Sequence, residues 1–256
     1  MKSLAIVGGA GRMGQMLAAQ LGAVDDFKVT TLVDLHEPNE LFGATFATSL
    51  ANVDPSTVDV VVDFSSAKSV VESAQWCANH HVALVIGTTG LSESQRSEVE
   101  KASQATGIIM ASNYSIGMVL QQRFAVQAAP YFDRVEIIEL HHDQKADAPS
   151  GTSLTTAAAI AQARRDAGRG PMLDPTTHHT VDGARGADGG DGVMVHSLRL
   201  PGLVSHQEIH FGAPGEGLLI RHDSFDRESF VQGVVLALNG VGTTPGLTIG
   251  IDSFVK

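Results

Sequence analysis

A chain of 256 residues, 43% hydrophobic and 18% charged, can bury a sizeable core as one large domain or two modest ones. Its formal charge of −11, with no basic cluster, argues against nucleic acid or anionic membrane as a partner. No apolar run reaches the ~18 residues of a membrane span. The opening Leu4-Ala5-Ile6-Val7 is too short for a secretory core, and the lone cysteine, Cys77, forbids an internal disulfide, so a cytoplasmic protein is expected.

In chain order, β-like runs at 4–7, 29–34, 58–64, 82–86 and 108–111 alternate with amphipathic helical segments at 12–21, 67–80, 92–106 and 118–131. Ser92 followed by Gln95 has the spacing of a capping box. The run Val58-Asp59-Val60-Val61-Val62 suggests a strand buried on both faces, as in a parallel sheet built of βαβ units.

The pattern changes after about Asn113. A strand at 135–141 leads through a turn into a helix from Gly151 to about Ala167, and the glycine-rich stretch 168–192 reads as an extended loop. Three closely spaced β-like runs, 193–200, 205–211 and 217–222, favour an antiparallel or mixed sheet. Asp223-Ser224 is expected to cap a last helix at 225–239. The fold class is therefore α/β: a Rossmann-like dinucleotide-binding domain followed by a second, α+β domain carrying a mixed sheet.

Gly8-Gly9-Ala10-Gly11-Arg12-Met13-Gly14 lies between the first strand and the first helix. Glycines there permit a tight turn and bring backbone N–H groups and a helix N-terminus up to a pyrophosphate. Asp34, at the end of the second strand and 20 residues after Gly14, is placed to accept from ribose hydroxyls. With Leu35 beside it, Asp34 favours NADH, while Arg12 could supply a cation for NADPH; both cofactors stay open. Gly87-Thr88-Thr89-Gly90 and Ala111-Ser112-Asn113-Tyr114 fall at the carboxyl ends of predicted parallel strands, where open α/β sheets bind ligands and where ordinary βα turns also lie.

The stretch from Glu139 to Thr152 contains His141, His142, Lys145 and Pro149-Ser150-Gly151-Thr152. Histidine exchanges protons near neutral pH, and lysine donates one when its environment lowers its affinity for it. Ser150-Gly151-Thr152 reads as a helix start whose N–H groups and hydroxyls can cradle a carboxylate. A cradle of this kind also answers how an acidic protein could hold an anion. The bland alternative is a His-rich solvated turn with a helix cap.

The chain resembles the 4-hydroxy-tetrahydrodipicolinate reductase (dihydrodipicolinate reductase) family in four places. They are Gly11-Arg12-Met13-Gly14, Gly87-Thr88-Thr89-Gly90, Asn113, and the block His141-His142-x-x-Lys145-x-Asp147-x-Pro149-Ser150-Gly151-Thr152, the last being highly specific. The resemblance implies reduction of 4-hydroxy-tetrahydrodipicolinate with NADH or NADPH and loss of water, in the diaminopimelate route to lysine. It implies that His141 is a proton donor and acceptor, that Lys145 is a proton donor, that His142 binds substrate, and that Gly151 and Thr152 hold a substrate carboxylate. It further implies cofactor contacts from Gly8, Gly9, Ala10, Gly11, Arg12, Met13, Asp34, Gly87, Thr88, Thr89, Ala111, Ser112, Asn113 and Tyr114. By the same resemblance, residues 225–256 return to join 1–112 in the cofactor domain. Residues 113–224 then form the substrate-binding and oligomerisation domain of a homotetramer. Leu35 departs from members that use NADPH well, which often carry a basic residue there.

Other features carry blander readings. His178, His179, His196, His206 and His210 lack a convincing third ligand, so no metal site is expected. Cys77, next to Trp76, reads as a buried small hydrophobe rather than a nucleophile. Arg185 and Arg199 are expected in surface salt bridges, with a second substrate carboxylate as the alternative. A dinucleotide-binding sensor without chemistry, or another imine or aldehyde reductase on the same fold, are the competing functions.

Overall fold

The computed structural model describes residues 1–256. The chain forms two compact units, one made of residues 1–116 with 227–256, the other of residues 117–226.

The first unit is built on β1 (Lys2–Val7), β2 (Phe27–Val33), β3 (Thr45–Ala47), β4 (Val60–Asp63), β5 (Ala83–Ile86) and β6 (Gly107–Met110), with a strand from the end of the chain at Gly246–Ile249. Its helices are α1 (Arg12–Leu21), α2 (Ala67–His80) and α3 (Glu93–Ala102), joined by a late helix at Val231–Gly240. In spatial order the late strand comes first, then β6, β5, β4, β1, β2 and β3, and every pairing is parallel. All four residues of β4 and of β5 are buried, which is why these strands read as continuous apolar runs. Ser66 caps α2 by accepting from the Ser69 N–H, and the helix ends at His81 in a left-handed conformation, φ 54°. Ser92 and Gln95 form the capping box that their spacing predicts. Cys77 is fully buried, and burial together with the charge of Asp63 raises its thiol pKa, which leaves it inert as a nucleophile.

The second unit is centred on β7 (Arg134–His141), followed by α5 (Gly151–Asp166), β8 (Ala187–Asp188), β9 (Met194–Arg199), β10 (Ser205–Ala213) and β11 (Glu216–Ser224); α4 (Ile116–Ala128) precedes them. The sheet order is β11-β10-β7-β9-β8, with β7 and β9 parallel and the other neighbours antiparallel, so the sheet is mixed. Val135, Ile137, Val195, Ile209 and Phe211 face α4 and α5 and pack on Ala125, Ile160 and Ala161. The alternate residues, including Glu136, Ile138, Leu140, His196, Leu198, His210 and Leu219, form the opposite face. Gln207 crosses the inner face. Its amide donates to Gln121 Oε1 at 3.1 Å and its oxygen accepts from Ser153 Oγ at 2.6 Å, which ties the first turn of α5 to β10. Arg164 donates to the Ala129 carbonyl at 3.0 Å just past the end of α4, satisfying a carbonyl the helix leaves open.

The last helix departs from expectation. The ladder between β10 and β11 extends to the Ser205–Ser224 pair, so Asp223 and Ser224 are strand residues and not the cap of the last helix, whose N-cap is Phe230. A 3₁₀ turn at Arg227–Phe230 follows, and α6, the helix at Val231–Gly240, starts six residues later than predicted, at a junction without a side-chain cap. Three short strands also went unforeseen from pattern alone. They are β3, with three half-buried or exposed residues, β8 within the 168–192 loop, and β12 (Gly246–Ile249), whose segment is rich in glycine and threonine.

Candidate active site

In the first unit the glycine loop closes tightly between strand and helix. Gly8 has φ +83°, and a Cβ there would lie 2.6 Å from the Phe64 carbonyl oxygen; one on Gly14 would lie 2.1 Å from the Gly8 oxygen. Gly11 is the N-cap of α1, with no side-chain cap and no acidic residue in the first turn, so the N-terminal N–H groups and the field of α1 are open to an anion. Asp34 braces the loop: one carboxylate oxygen accepts from the Ala10 N–H at 2.9 Å, the other from the Leu35 N–H at 2.7 Å. A cleft of about 650 Å³ runs past Gly8, Gly11, Asp34, Leu35, Ser49 and Trp76. Close-packed glycines, an uncapped helix start and a carboxylate at the next strand end suit a nicotinamide dinucleotide.

The Gly87 and Thr88 turn is fastened to β4 by a residue the sequence reading passed over. Asp63, fully buried, accepts from Ser65 Oγ at 2.6 Å, Thr88 Oγ1 at 3.0 Å and Ser73 Oγ at 2.6 Å. Burial raises its pKa, and these hydrogen bonds work against that shift. A lone acid ending an apolar strand was the available signal. Thr89 follows in the same turn and is exposed. At the next strand end, Asn113 Oδ1 accepts from the Ser115 N–H at 2.7 Å, and Ala111 donates to the Ile86 carbonyl at 3.0 Å. The Tyr114 hydroxyl also donates to that carbonyl, at 2.7 Å. The Tyr114 ring is buried, which leaves its backbone as the part able to face a ligand.

In the second unit, β7, its turn and the start of α5 assemble the proton-bearing groups. His141 ends β7. Its Nδ1 donates to the carboxylate of Glu139, and its Nε2 lies 3.1 Å from Ser205 Oγ on the neighbouring strand. Glu139, with no exposed side-chain surface, also accepts two N–H bonds from Arg199, at 2.9 and 2.8 Å, and the Ser150 N–H at 3.2 Å. Lys145 bridges both oxygens of Asp147, at 2.7 and 2.9 Å. Its own N–H donates to the His142 carbonyl at 3.2 Å, which draws the turn together. Ser150 is the N-cap of α5 without a side-chain cap bond, and no acid sits in the first turn. A Cβ on Gly151 would meet nothing within 4 Å. The N–H groups of Gly151 and Thr152 thus belong to a helix start with room before it.

Burial works to raise the pKa of Glu139, but hydrogen bonds from His141, Arg199 and Ser197 outweigh it and hold the carboxylate down at about 2, against an ordinary 4.5. A carboxylate depressed by folding stabilises the fold above its unfolded pKa, and that contribution is lost as pH falls through the folded value. The shift corresponds to stability on the order of 3 kcal/mol. Urea unfolding of wild type and Glu139→Gln is therefore expected to differ most at neutral pH. The gap should close as pH falls from 4.5 toward about 2; a gap independent of pH contradicts this.

Arg199, expected at the surface, serves this buried carboxylate instead. Arg185 pairs with Glu136 and Asp174. His206 bonds Asp223 at 2.7 Å and His210 bonds Glu208 at 2.9 Å, and no group of three or more potential metal ligands is gathered.

Comparison with known proteins agrees with both halves. Residues 2–114 match the family model described as dihydrodipicolinate reductase, N-terminus, and residues 117–254 match its C-terminus counterpart. A 4-hydroxy-tetrahydrodipicolinate reductase of Nocardia farcinica is 46% identical over 98% of this chain and 97% of its own; one of Corynebacterium diphtheriae is 41% identical over the same shares. The dipicolinate-bound dihydrodipicolinate reductase of Paenisporosarcina sp. TG-14 superposes with a TM-score of 0.84 at 36% identity, covering 99% of each chain. A myo-inositol 2-dehydrogenase from Lactobacillus plantarum, TM-score 0.64 at 13% identity, shares the fold alone. With both family models matched across nearly its whole length, the chain belongs to the dihydrodipicolinate reductase family.

Proposed function

We propose that this protein reduces 4-hydroxy-tetrahydrodipicolinate to tetrahydrodipicolinate with loss of water, in the diaminopimelate route to lysine. The observation that carries the reading is the β7–turn–α5 unit. It sets a histidine hydrogen-bonded to a buried carboxylate, a lysine and an open helix start within one short stretch, in a chain 46% identical to a named reductase of this substrate.

A reduced nicotinamide, when bound to the first unit, supplies the hydride. Gly8, Gly9, Ala10, Gly11, Arg12 and Met13 hold the pyrophosphate, Asp34 the adenosine ribose, and the 87–89 and 111–114 turns the nicotinamide end. The exposed Leu35 beside Asp34 favours NADH, and Arg12, exposed in the first turn of α1, gives a 2′-phosphate its cation, so both cofactors are used.

On the substrate side, the N–H groups of Gly151 and Thr152 hold one carboxylate, and His142 contacts the ring. Loss of the hydroxyl takes a proton from the neighbouring carbon and gives one to the departing oxygen, so it consumes none overall. Hydride addition to the conjugated imine consumes one proton from outside. His141 serves as acceptor and donor in the first step and Lys145 as donor in the second.

Following nicotinamide absorbance with freshly generated 4-hydroxy-tetrahydrodipicolinate tests the reading. Turnover with NADH and NADPH is expected; no turnover with either favours a dinucleotide-binding sensor. We also propose a homotetramer assembled through the outer face of the second sheet. Leu219, 51% exposed, and the half-buried Ile138, Leu140 and Leu198 make that face more apolar than a solvated one needs to be. Light scattering is expected to find a tetramer for wild type and smaller species for Leu219→Glu. A wild type that stays monomeric contradicts the assembly.

A further inference from the structure

We propose that Glu139, clamped by Arg199, is a positioning residue for His141, fixing the imidazole so that Nε2 is the nitrogen that exchanges protons. The inference deepens the function above and rests on the proton role given there to His141.

Glu139 and His141 stand two apart on one strand, so their side chains leave β7 on the same side. The carboxylate is ionised and has only acceptors, which obliges His141 Nδ1 to carry a proton and donate it. Position i and i+2 alone would leave the carboxylate free to rotate. Arg199 removes that freedom. It stands opposite His141 in the β7–β9 register and offers one N–H to each carboxylate oxygen in a fork, at 2.9 and 2.8 Å. Its guanidinium also donates to the Asp147 carbonyl at 2.6 Å, so the turn carrying Lys145 hangs from the same cation.

The remaining partners act on the same geometry. Ser150 donates its N–H to Glu139, which places the start of α5 relative to the imidazole. Ser205, paired with His141 across the β7–β10 ladder, sets its hydroxyl 3.1 Å from Nε2. A hydroxyl there donates to a neutral imidazole and accepts from a protonated one, so it follows either state without moving the ring. The guanidinium balances the charge of Glu139, so the carboxylate orients His141 from a pair that is neutral as a whole. The competing account is a buried ion pair that merely fastens β7 to β9.

The test reads the tautomer as well as the rate. In wild type, ¹⁵N spectra of the imidazoles, with His141 assigned by comparison with His141→Asn, are expected to show the Nδ1–H form. An Nε2–H form overturns the proposal without any variant having to fold. In Glu139→Gln the tautomer is expected to become mixed and kcat to fall roughly 10²-fold, the scale of a misplaced general acid, with the KM for the nicotinamide unchanged. In a His141→Asn background the same change is expected to cost little more, because its effect runs through His141. Losses that multiply instead identify a fastening role and overturn the proposal. If Glu139→Gln alone does not fold, Glu139→Gln with Arg199→Gln, which leaves no half-buried cation without its carboxylate, takes its place. A fully active His141→Asn refutes the proton role itself, and the wild-type tautomer then still decides the geometry.

Discussion

Lys145→Ala is expected to lower kcat by about 10²- to 10⁴-fold, the usual worth of a general acid, with little change in affinity for the reduced nicotinamide. The structure gives reasons to expect a clean result. Lys145 makes its side-chain bonds to Asp147, a residue of the same turn, and the two side chains are 20% and 62% exposed. An ion pair so open to water contributes under about 1 kcal/mol, so the alanine variant should fold and melt as wild type does. The hydrogen bonds from Lys145 hold the Asp147 carboxyl below its ordinary range, and that partnership can be exchanged for a substrate anion at small cost. Lys145→Arg separates charge from proton delivery. It keeps a cation that can grip a carboxylate but cannot release a proton near neutral pH. Recovery of substrate KM without kcat is expected from it; an alanine variant with wild-type kcat would remove Lys145 from the mechanism.

The second large effect is expected from Gly14→Ala. On helix propensity alone the change should stabilise, since alanine is favoured over glycine by about 1 kcal/mol in a helix interior. Packing opposes it. The new methyl would stand 2.1 Å from the Gly8 oxygen, 2.8 Å from its carbonyl carbon and 2.9 Å from the Gly9 Cα, all backbone atoms. Gly8 cannot retreat easily, because its N–H donates to the Val33 carbonyl at 2.9 Å and its own outer side abuts the Phe64 carbonyl. The loop has to open. Overpacking of this kind costs about 1–3 kcal/mol, and a displaced phosphate cradle should weaken nicotinamide binding by roughly 10- to 100-fold. Calorimetric titration with NADH and NADPH, beside thermal unfolding, measures both. Unaltered affinity in a folded Gly14→Ala protein would show that the loop is not the cradle.

Local signals made much of this legible. Helices α1 and α2 occupy the predicted 12–21 and 67–80, the first opening at a glycine loop, the second between a serine cap and a left-handed histidine. Buried parallel strands announce themselves by being apolar throughout. What escaped depends on partners outside the segment itself. Strand β3 is three residues held by pairing to β2, and β11 reaches Ser224 because β10 supplies a partner there. The site divides in the same way. His141, Lys145 and the start of α5 lie in one motif, whereas the meeting of Glu139 with Arg199, and of His141 with Ser205, follows from strand register across some sixty positions.

The sheet of the first unit is completed by β12, whose residues lie beyond the whole of the second unit and pair with β6. During synthesis, β6 is therefore made early and waits with one edge bare while residues 117–226 emerge and fold. An unpaired edge of buried, apolar strands is a template for other chains. Shortening the chain by its last eleven residues removes β12 and makes that waiting state permanent, so the loss should surface as aggregation during expression even though every residue assigned to chemistry is still present.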